Sequence, residues 1–268
     1  LEGNQEEAIK ILEESLKIDT NNGKALLTLT DLYRANGRVK ESSEVLKKSF
    51  FSKQLGVDAK MRFLIEYYDA SIIDSTLTKE AFKLIDILTK VHPEDAKPHT
   101  IAGDFYYREG RLIDAKKAFV KALSFDKSRF PIWQQLLIVC FELKEYDEVV
   151  NYGNQVMELY PSETTAYLLK GMAQFQLKKF ELAISTFNTG VLMVVENNDL
   201  LGQFYSNLGD SYHALKNNAL SDISYEAEVQ STLICPVSSN IFTSSMFIKS
   251  KYMYKLFCEF PEFAYCIK

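Results

Sequence analysis

Proline and glycine are scarce in this 268-residue chain, at 6 and 11, so few positions forbid a helix or demand a turn. Histidine is scarcer still. His92 precedes Pro93 at an expected helix end, His99 falls in a column of bulky packing residues and His213 is isolated, and there is no HExxH, no G-x-S-x-G and no glycine-rich phosphate loop. Catalysis needs convergent titratable groups. The acids Asp114, Asp147 and Glu148 stand instead at expected helix starts, where the helix dipole favours negative charge. The chain is therefore expected not to be an enzyme and to need no cofactor or metal. Of four cysteines, Cys140 stands alone and Cys235, Cys258 and Cys266 all fall after Gln230. With no CxxC pair, nothing indicates a zinc site or a disulfide framework. No apolar run approaches the roughly 20 residues of a membrane-spanning helix. A basic excess is missing too: the net charge is −5, and a nucleic-acid partner, which needs clustered Lys and Arg to displace counterions, is not expected.

What the chain does contain is a period. Ala81, Ala115, Val149 and Ala183 follow one another at a constant spacing, and Ala8 and Ser42 repeat it near the start. Four residues after these come Leu12, Leu46, Ile85, Phe119 and Phe187, with Gly153 the exception. An i, i+4 pair lies on one helical face, and the small member marks a close helix crossing. Ahead of each pair stand further columns. Leu26, Ile65, His99, Trp133, Tyr167 and Tyr205 are bulky anchors, followed four residues on by Gly103, Gly171 and Gly209. The next column reads Tyr33, Ile72, Tyr106, Cys140, Gln174 and Tyr212, and Pro93 and Pro161 stand where helices must end. Two spacings exceed the period: Ser42 to Ala81 is longer by five and Ala183 to Ser221 by four, which places insertions of those lengths between units. The segments FFSKQLGVDAK and VVENNDL are expected to absorb them by lengthening neighbouring helices.

These columns resemble the tetratricopeptide repeat pattern W-x2-L-G-x2-Y, A-x3-F, P, whose period of about 34 residues they share, most closely over residues 96–127. The resemblance implies an all-α, right-handed superhelical solenoid of antiparallel helix hairpins. The reading is a half repeat over 1–22 and six repeats starting near Gly23, Arg62, Ala96, Phe130, Thr164 and Gly202, with the array ending at residue 230. In this family the first helix of each unit lines a concave groove, and ligand contacts come one residue past each column. The anchor column then gives Leu27, Glu66, Thr100, Gln134, Leu168 and Ser206. The glycine column gives Asp31, Ala70, Asp104, Ile138, Met172 and Asp210, and the tyrosine column gives Arg34, Ile73, Tyr107, Phe141, Phe175 and His213. The groove set expected to touch a partner is Asp104, Tyr107, Arg108, Gln134, Ile138, Phe141, Leu168, Met172, Phe175, Asn207 and Asp210, with Tyr107, Phe141 and Phe175 as an aromatic stripe. The competing reading packs these side chains between hairpins. The family's chaperone-docking variant grips a carboxylate with Lys and Asn pairs. Here Leu27 with Asp31, Thr100 with Asp104 and Gln134 with Ile138 stand in that place, and Asn207 is a lone match. The acids Asp31, Asp104 and Asp210 repel a carboxylate, so docking of chaperone acidic tails is not expected.

The register is lost after Gln230. Residues 231–268 have no Asp or Gly, eight aromatics and net charge +2, against −7 for residues 1–230. A capping helix over Ile241–Phe260 is one expectation, because the last hairpin of an array exposes an apolar face; a sequence foreign to the fold is the other. The expected function is a scaffold holding a peptide or partner protein in the concave groove. The alternatives are self-association, including a homo-oligomer, and the adaptor region of a larger enzyme or signalling protein. A cytoplasmic location is favoured. Because the chain opens on Leu1 inside half a repeat, a leader or anchor ahead of it is left open, and with it a periplasmic or surface location.

Overall fold

A computed structural model describes residues 2–70 and 76–233, and every regular element among them is an α-helix. The helices are α1 (Glu2–Ile18), α2 (Gly23–Ala35), α3 (Val39–Phe51), α4 (Val57–Ala70), α5 (Thr76–Val91), α6 (Ala96–Arg108), α7 (Leu112–Phe125) and α8 (Phe130–Glu142), then α9 (Tyr146–Leu159), α10 (Thr164–Gln176), α11 (Phe180–Val191), α12 (Asn198–Ala214) and α13 (Asn218–Leu233). They form two compact units, α1–α8 and α9–α13. In the first, α2 packs on α3, α4 on α5 and α6 on α7. In the second, α10 packs on α11 and α12 on α13. This is the hairpin-on-hairpin arrangement of an all-α helical repeat solenoid. Among the described residues, no helix is long and apolar enough to cross a membrane.

Four hairpin turns among the described residues share one device. At Gly37, Gly110, Lys178 and Lys216 the backbone turns into the left-handed region, with φ of 70°, 71°, 59° and 59°. The next residue's N–H then reaches back to the last turn of the first helix: Arg38 to Tyr33 O, Arg111 to Tyr106 O, Lys179 to Gln174 O and Asn217 to Tyr212 O, at 2.8–2.9 Å. Such six-to-one bonds satisfy carbonyls that a helix end leaves open. Glycine adopts this conformation freely, whereas in lysine it carries a steric cost of about 1 kcal/mol.

Across the turn, the small-residue column sits where helices cross. Ala81, Ala115, Val149 and Ala183 are all fully buried. Serine replaces alanine in two repeats, and each hydroxyl is satisfied by a facing carbonyl: Ser42 donates to Thr30 O at 2.9 Å and Ser221 to Gly209 O at 3.0 Å. The glycine column has a steric reason. A Cβ on Gly103 would sit 2.5 Å from Phe119 Cε1, one on Gly171 2.3 Å from Phe187 Cε1, and one on Gly209 2.4 Å from Tyr225 Cε1. In each hairpin an aromatic ring sixteen residues on lies against the bare Cα. The core of the first unit continues through Leu46, Phe50, Leu64, Leu84, Leu88 and Phe105, all fully buried.

The two insertions resolve differently. α12 has 17 residues where α10 has 13, so the four extra residues form an added first turn starting at Asn198. The five-residue insertion does not precede α4, as expected, but follows it. α4 starts at Val57 rather than near Arg62, one whole period after α2 starts at Gly23, and the surplus lies between α4 and Ala81. The register of α4 therefore shifts by five. Ile65, expected as a buried anchor, is 49% exposed, and the anchor position is held by Lys60, fully buried. Lys60 Nζ donates to Ser52 O at 2.8 Å and lies 3.0 Å from His92 Nε2. Burial pushes its pKa down to about 8. The expected capping helix over Ile241–Phe260 lies outside the described residues, as do Ile72 and Ile73.

Candidate partner-binding face

In the first unit, specific contacts join the first helices of successive hairpins. The Arg34 guanidinium of α2 lies over the Tyr67 ring of α4, 5.8 Å from its centroid. Arg108 of α6 donates from Nη1 to Tyr68 O of α4 and stacks 3.9 Å above the Tyr68 ring. Tyr107 of α6 donates its hydroxyl to Glu142 Oε1 of α8 at 2.6 Å. Burial and that bond push the Tyr107 phenol up to about 12. The corrected register places Tyr68, Tyr107 and Phe141 at one position of three consecutive first helices, and Ile65, Asp104 and Ile138 at another. Tyr107, Gln134, Ile138 and Phe141 are half-buried, the state of side chains that line a surface rather than a core.

Two of these residues were missed by the sequence reading. Tyr68 and the exposed Ile65 take the groove positions assigned to Ile73 and Ala70, and Glu66 is not a groove residue. The signal was available: one period beyond Tyr33 and Arg34 lie Tyr67 and Tyr68, so carrying the period forward from α2 finds them.

Arg108 does not project from the face. Its head sits over Tyr68 and Phe105, 3.9 and 4.8 Å from the ring centroids, and its Nε is 3.7 Å from Glu109 Oε1. Among the described residues, its Nη2 is a buried donor without an acceptor. The Asp104 carboxylate, one turn earlier on α6, has no hydrogen bond or ion pair among the described residues. Burial alone pushes its carboxyl up to about 6.

In the second unit the expected residues divide. Phe175 is half-buried, with its ring 5.3 Å from that of Phe180. Leu168 and Met172, expected on the groove surface, are 6% and 8% exposed. α10 packs with α9, α11 and α12, and eight of its thirteen residues are buried, so these two side chains are closed to a partner. Asn207 turns back on its own helix, donating to Gln203 O at 2.7 Å. Asp210 accepts from the Tyr225 hydroxyl at 2.7 Å. Burial still raises its carboxyl, and the Tyr225 bond and His213 partly offset that rise.

Elsewhere, an open cleft of about 810 Å³ is lined by His92, Lys97, Asp126 and Arg129 among others. Its charges are mixed in sign, and Lys97 is paired with Asp58. Among the described residues, no group of three or more His, Cys, Asp or Glu side chains is placed to hold a metal ion.

Hairpins recurring at a fixed period, with a glycine–aromatic contact inside and an aromatic-lined face on the first helices, define a helical-repeat protein. Residues 1–52 and 164–193 match tetratricopeptide repeat family models, so the chain carries tetratricopeptide repeats. Solved structures share the fold. The crystal structure of MamA aligns over 67% of this chain and 98% of its own, with TM-score 0.57 and 12% identity. YrrB, a tetratricopeptide repeat protein whose structure is titled for an unusual peptide-binding site, aligns over 83% of this chain and 93% of its own, with TM-score 0.53 and 13% identity. In sequence, the protein O-mannosyl-transferase TMTC3 of Homo sapiens is 25% identical in a 176-position alignment that covers 62% of this chain. The chain spans about a fifth of that relative, 19% of its length.

Proposed function

We propose that this chain is a non-catalytic scaffold that holds a peptide segment of a partner protein against the first-helix face. The observation that carries the proposal is the row of Tyr68, Tyr107 and Phe141 on consecutive first helices of the first unit, with Ile65 49% exposed beside it. Apolar patches rimmed by polar groups mark partner sites, and aromatic anchors typically cost ~2 kcal/mol or more when truncated. The peptide-binding site named for YrrB is in keeping with this use of the fold. Phe175 holds the same register position on α10 of the second unit. Selection of twelve-residue displayed peptides against the full chain tests the reading. Tyr107→Ala and Phe141→Ala should each weaken the selected binders about tenfold or more, ~1.4 kcal/mol, with little change in melting temperature, and the exposed Lys117→Ala should do neither. If the ring truncations unfold the protein, or leave binding intact, the face is not the site.

The match to the O-mannosyl-transferase supports a second reading, in which the array is the partner-holding region of a larger polypeptide. Immunoblotting of the source cells separates the two, since a product no longer than this chain removes the second.

A further inference from the structure

The three hairpins with a glycine–aromatic contact differ in one respect that packing does not account for. The residue after the glycine is Asp104, Met172 or Asp210, and the ring sixteen residues beyond that glycine belongs to Phe119, Phe187 or Tyr225 respectively. Met172 beside Phe187 pairs apolar with apolar. Asp210 beside Tyr225 pairs an acceptor with a donor, and the hydroxyl reaches the carboxylate at 2.7 Å. Asp104 beside Phe119 pairs a carboxylate with a ring that has nothing to donate. The Phe119 ring meets the Gly103 Cα as the Tyr225 ring meets Gly209, with Cε1, Cδ1 and Cζ the nearest atoms in both. The hydroxyl is absent at Asp104, and so is a counterpart to His213, which also acts on Asp210.

The helix offers no substitute donor. A cation four residues on ordinarily pairs with an acid on an exposed helix face. Arg108 is that cation, but its guanidinium is directed to Tyr68 O and lies over the Tyr68 and Phe105 rings. The Thr100 hydroxyl, one turn earlier, donates to Ala96 O at 3.0 Å. The Asp104 carboxylate is therefore half-buried and accepts from no described residue. Its oxygens are not sealed from solvent, so the carboxylate is open to a donor from outside the chain. Three residues along the same helix lies Tyr107, with the Glu142 carboxylate on its hydroxyl.

The geometry points to Asp104 as the acceptor for a lysine or arginine side chain of the peptide that occupies this face. Seated there, the cation meets Asp104 directly, the ring of Tyr107 beside it and the charge of Glu142 beyond. Cations favour such aromatic surroundings, and a hydrogen bond to a charged group is the strong kind. Specificity follows from the same arrangement: a neutral side chain leaves the carboxylate unpaired, and an acidic one is repelled. The inference rests on the peptide-binding reading above and adds the chemistry of one subsite.

The test runs the random dodecapeptide library in parallel against the full chain, Asp104→Asn and Phe119→Tyr. Selection on the unaltered chain should enrich Lys or Arg at one position, and both variants should lose that enrichment. The first variant removes the charge, and the second supplies the missing donor from within. For one enriched peptide, Asp104→Asn should weaken binding about tenfold or more, as should replacing the basic residue by glutamine. The two changes together should cost little more than either alone, the mark of a direct contact. Circular dichroism confirms that both variants fold. Binders that need Phe141 but carry no enriched basic position, or that bind Asp104→Asn unchanged, overturn this inference and leave the peptide-binding reading standing. Binders indifferent to Tyr107 and Phe141, or no binders at all, overturn both.

Discussion

The unliganded protein carries a stability cost at Asp104 that can be measured without any partner. An aspartate in an unfolded chain titrates near 3.8, whereas burial raises the Asp104 carboxyl to about 6 in the fold. Below pH ~3.8 both states are protonated and the group contributes nothing to the pH dependence. Between ~3.8 and ~6 the folded protein keeps a proton that the unfolded chain has released, so the stability associated with that proton is lost as pH rises. Above ~7 the loss is complete. A gap of about two pH units, at about 1.4 kcal/mol for each, sets a ceiling of about 3 kcal/mol. Asp104 is only half-buried, so water recovers part of this, and ~1–2 kcal/mol is the expected size. Asp104→Asn keeps the shape and removes the charge. It should match the unaltered chain at pH 3.5 and exceed it by that amount at pH 7.5 in urea unfolding. Phe119→Tyr should recover part of the same gain at pH 7.5 and lower the Asp104 titration, followed by carboxyl NMR. An Asp104 that titrates at or below 4 in the unaltered protein refutes the reasoning, because it means that a donor, Arg108 first among them, has turned to it.

Lys60 supplies the opposite sign. Its pKa falls from 10.5 to about 8 on burial, so between those values the unfolded chain binds the extra proton and stability should rise with pH, by up to ~3 kcal/mol. Lys60→Met should abolish that rise in unfolding curves compared at pH 7 and pH 10. At the hairpin turns, Gly110→Ala should cost about 1 kcal/mol at φ of 71°, while Lys178→Gly should gain ~0.5–1 kcal/mol by removing left-handed strain. Thermal melts that rank the two changes the other way would contradict the shared turn. The corrected register of α4 predicts that Tyr68→Ala weakens peptide capture about tenfold or more, while Glu66→Ala leaves it unchanged. Equal effects would mean that α4 does not share the face.

Much of the fold could be read directly because each helix of such an array meets mainly its neighbours, so every repeat restates the same packing problem. Ala81, Ala115, Val149 and Ala183 are fully buried for the reason that made them a column: two helices approach too closely there for anything large. The error in α4 has an equally local cause. An insertion of known length can be placed before or after a helix without changing the columns on either side. The chain disguises the choice by putting lysine at the anchor position of α4, where an apolar or aromatic residue is expected. The start of α4 at Val57 and the burial of Lys60, made tolerable by Ser52 O and His92 Nε2, show which choice is right.

The candidate site was less legible for a different reason. Periodicity reports which face of a helix a residue occupies, and on that criterion Asp104, Met172 and Asp210 are one position. Their chemistry differs because each is completed, or left incomplete, by a residue fifteen positions later on the second helix of its hairpin. Tyr225 closes the acceptor of Asp210, Phe187 suits the side chain of Met172, and Phe119 leaves Asp104 open. Whether an acid on the first-helix face is structural or available to a partner is therefore a property of a pair of columns. An acid one residue past the glycine column, followed fifteen residues later by phenylalanine instead of tyrosine, marks an open acceptor in any repeat where glycine and ring pack as they do here.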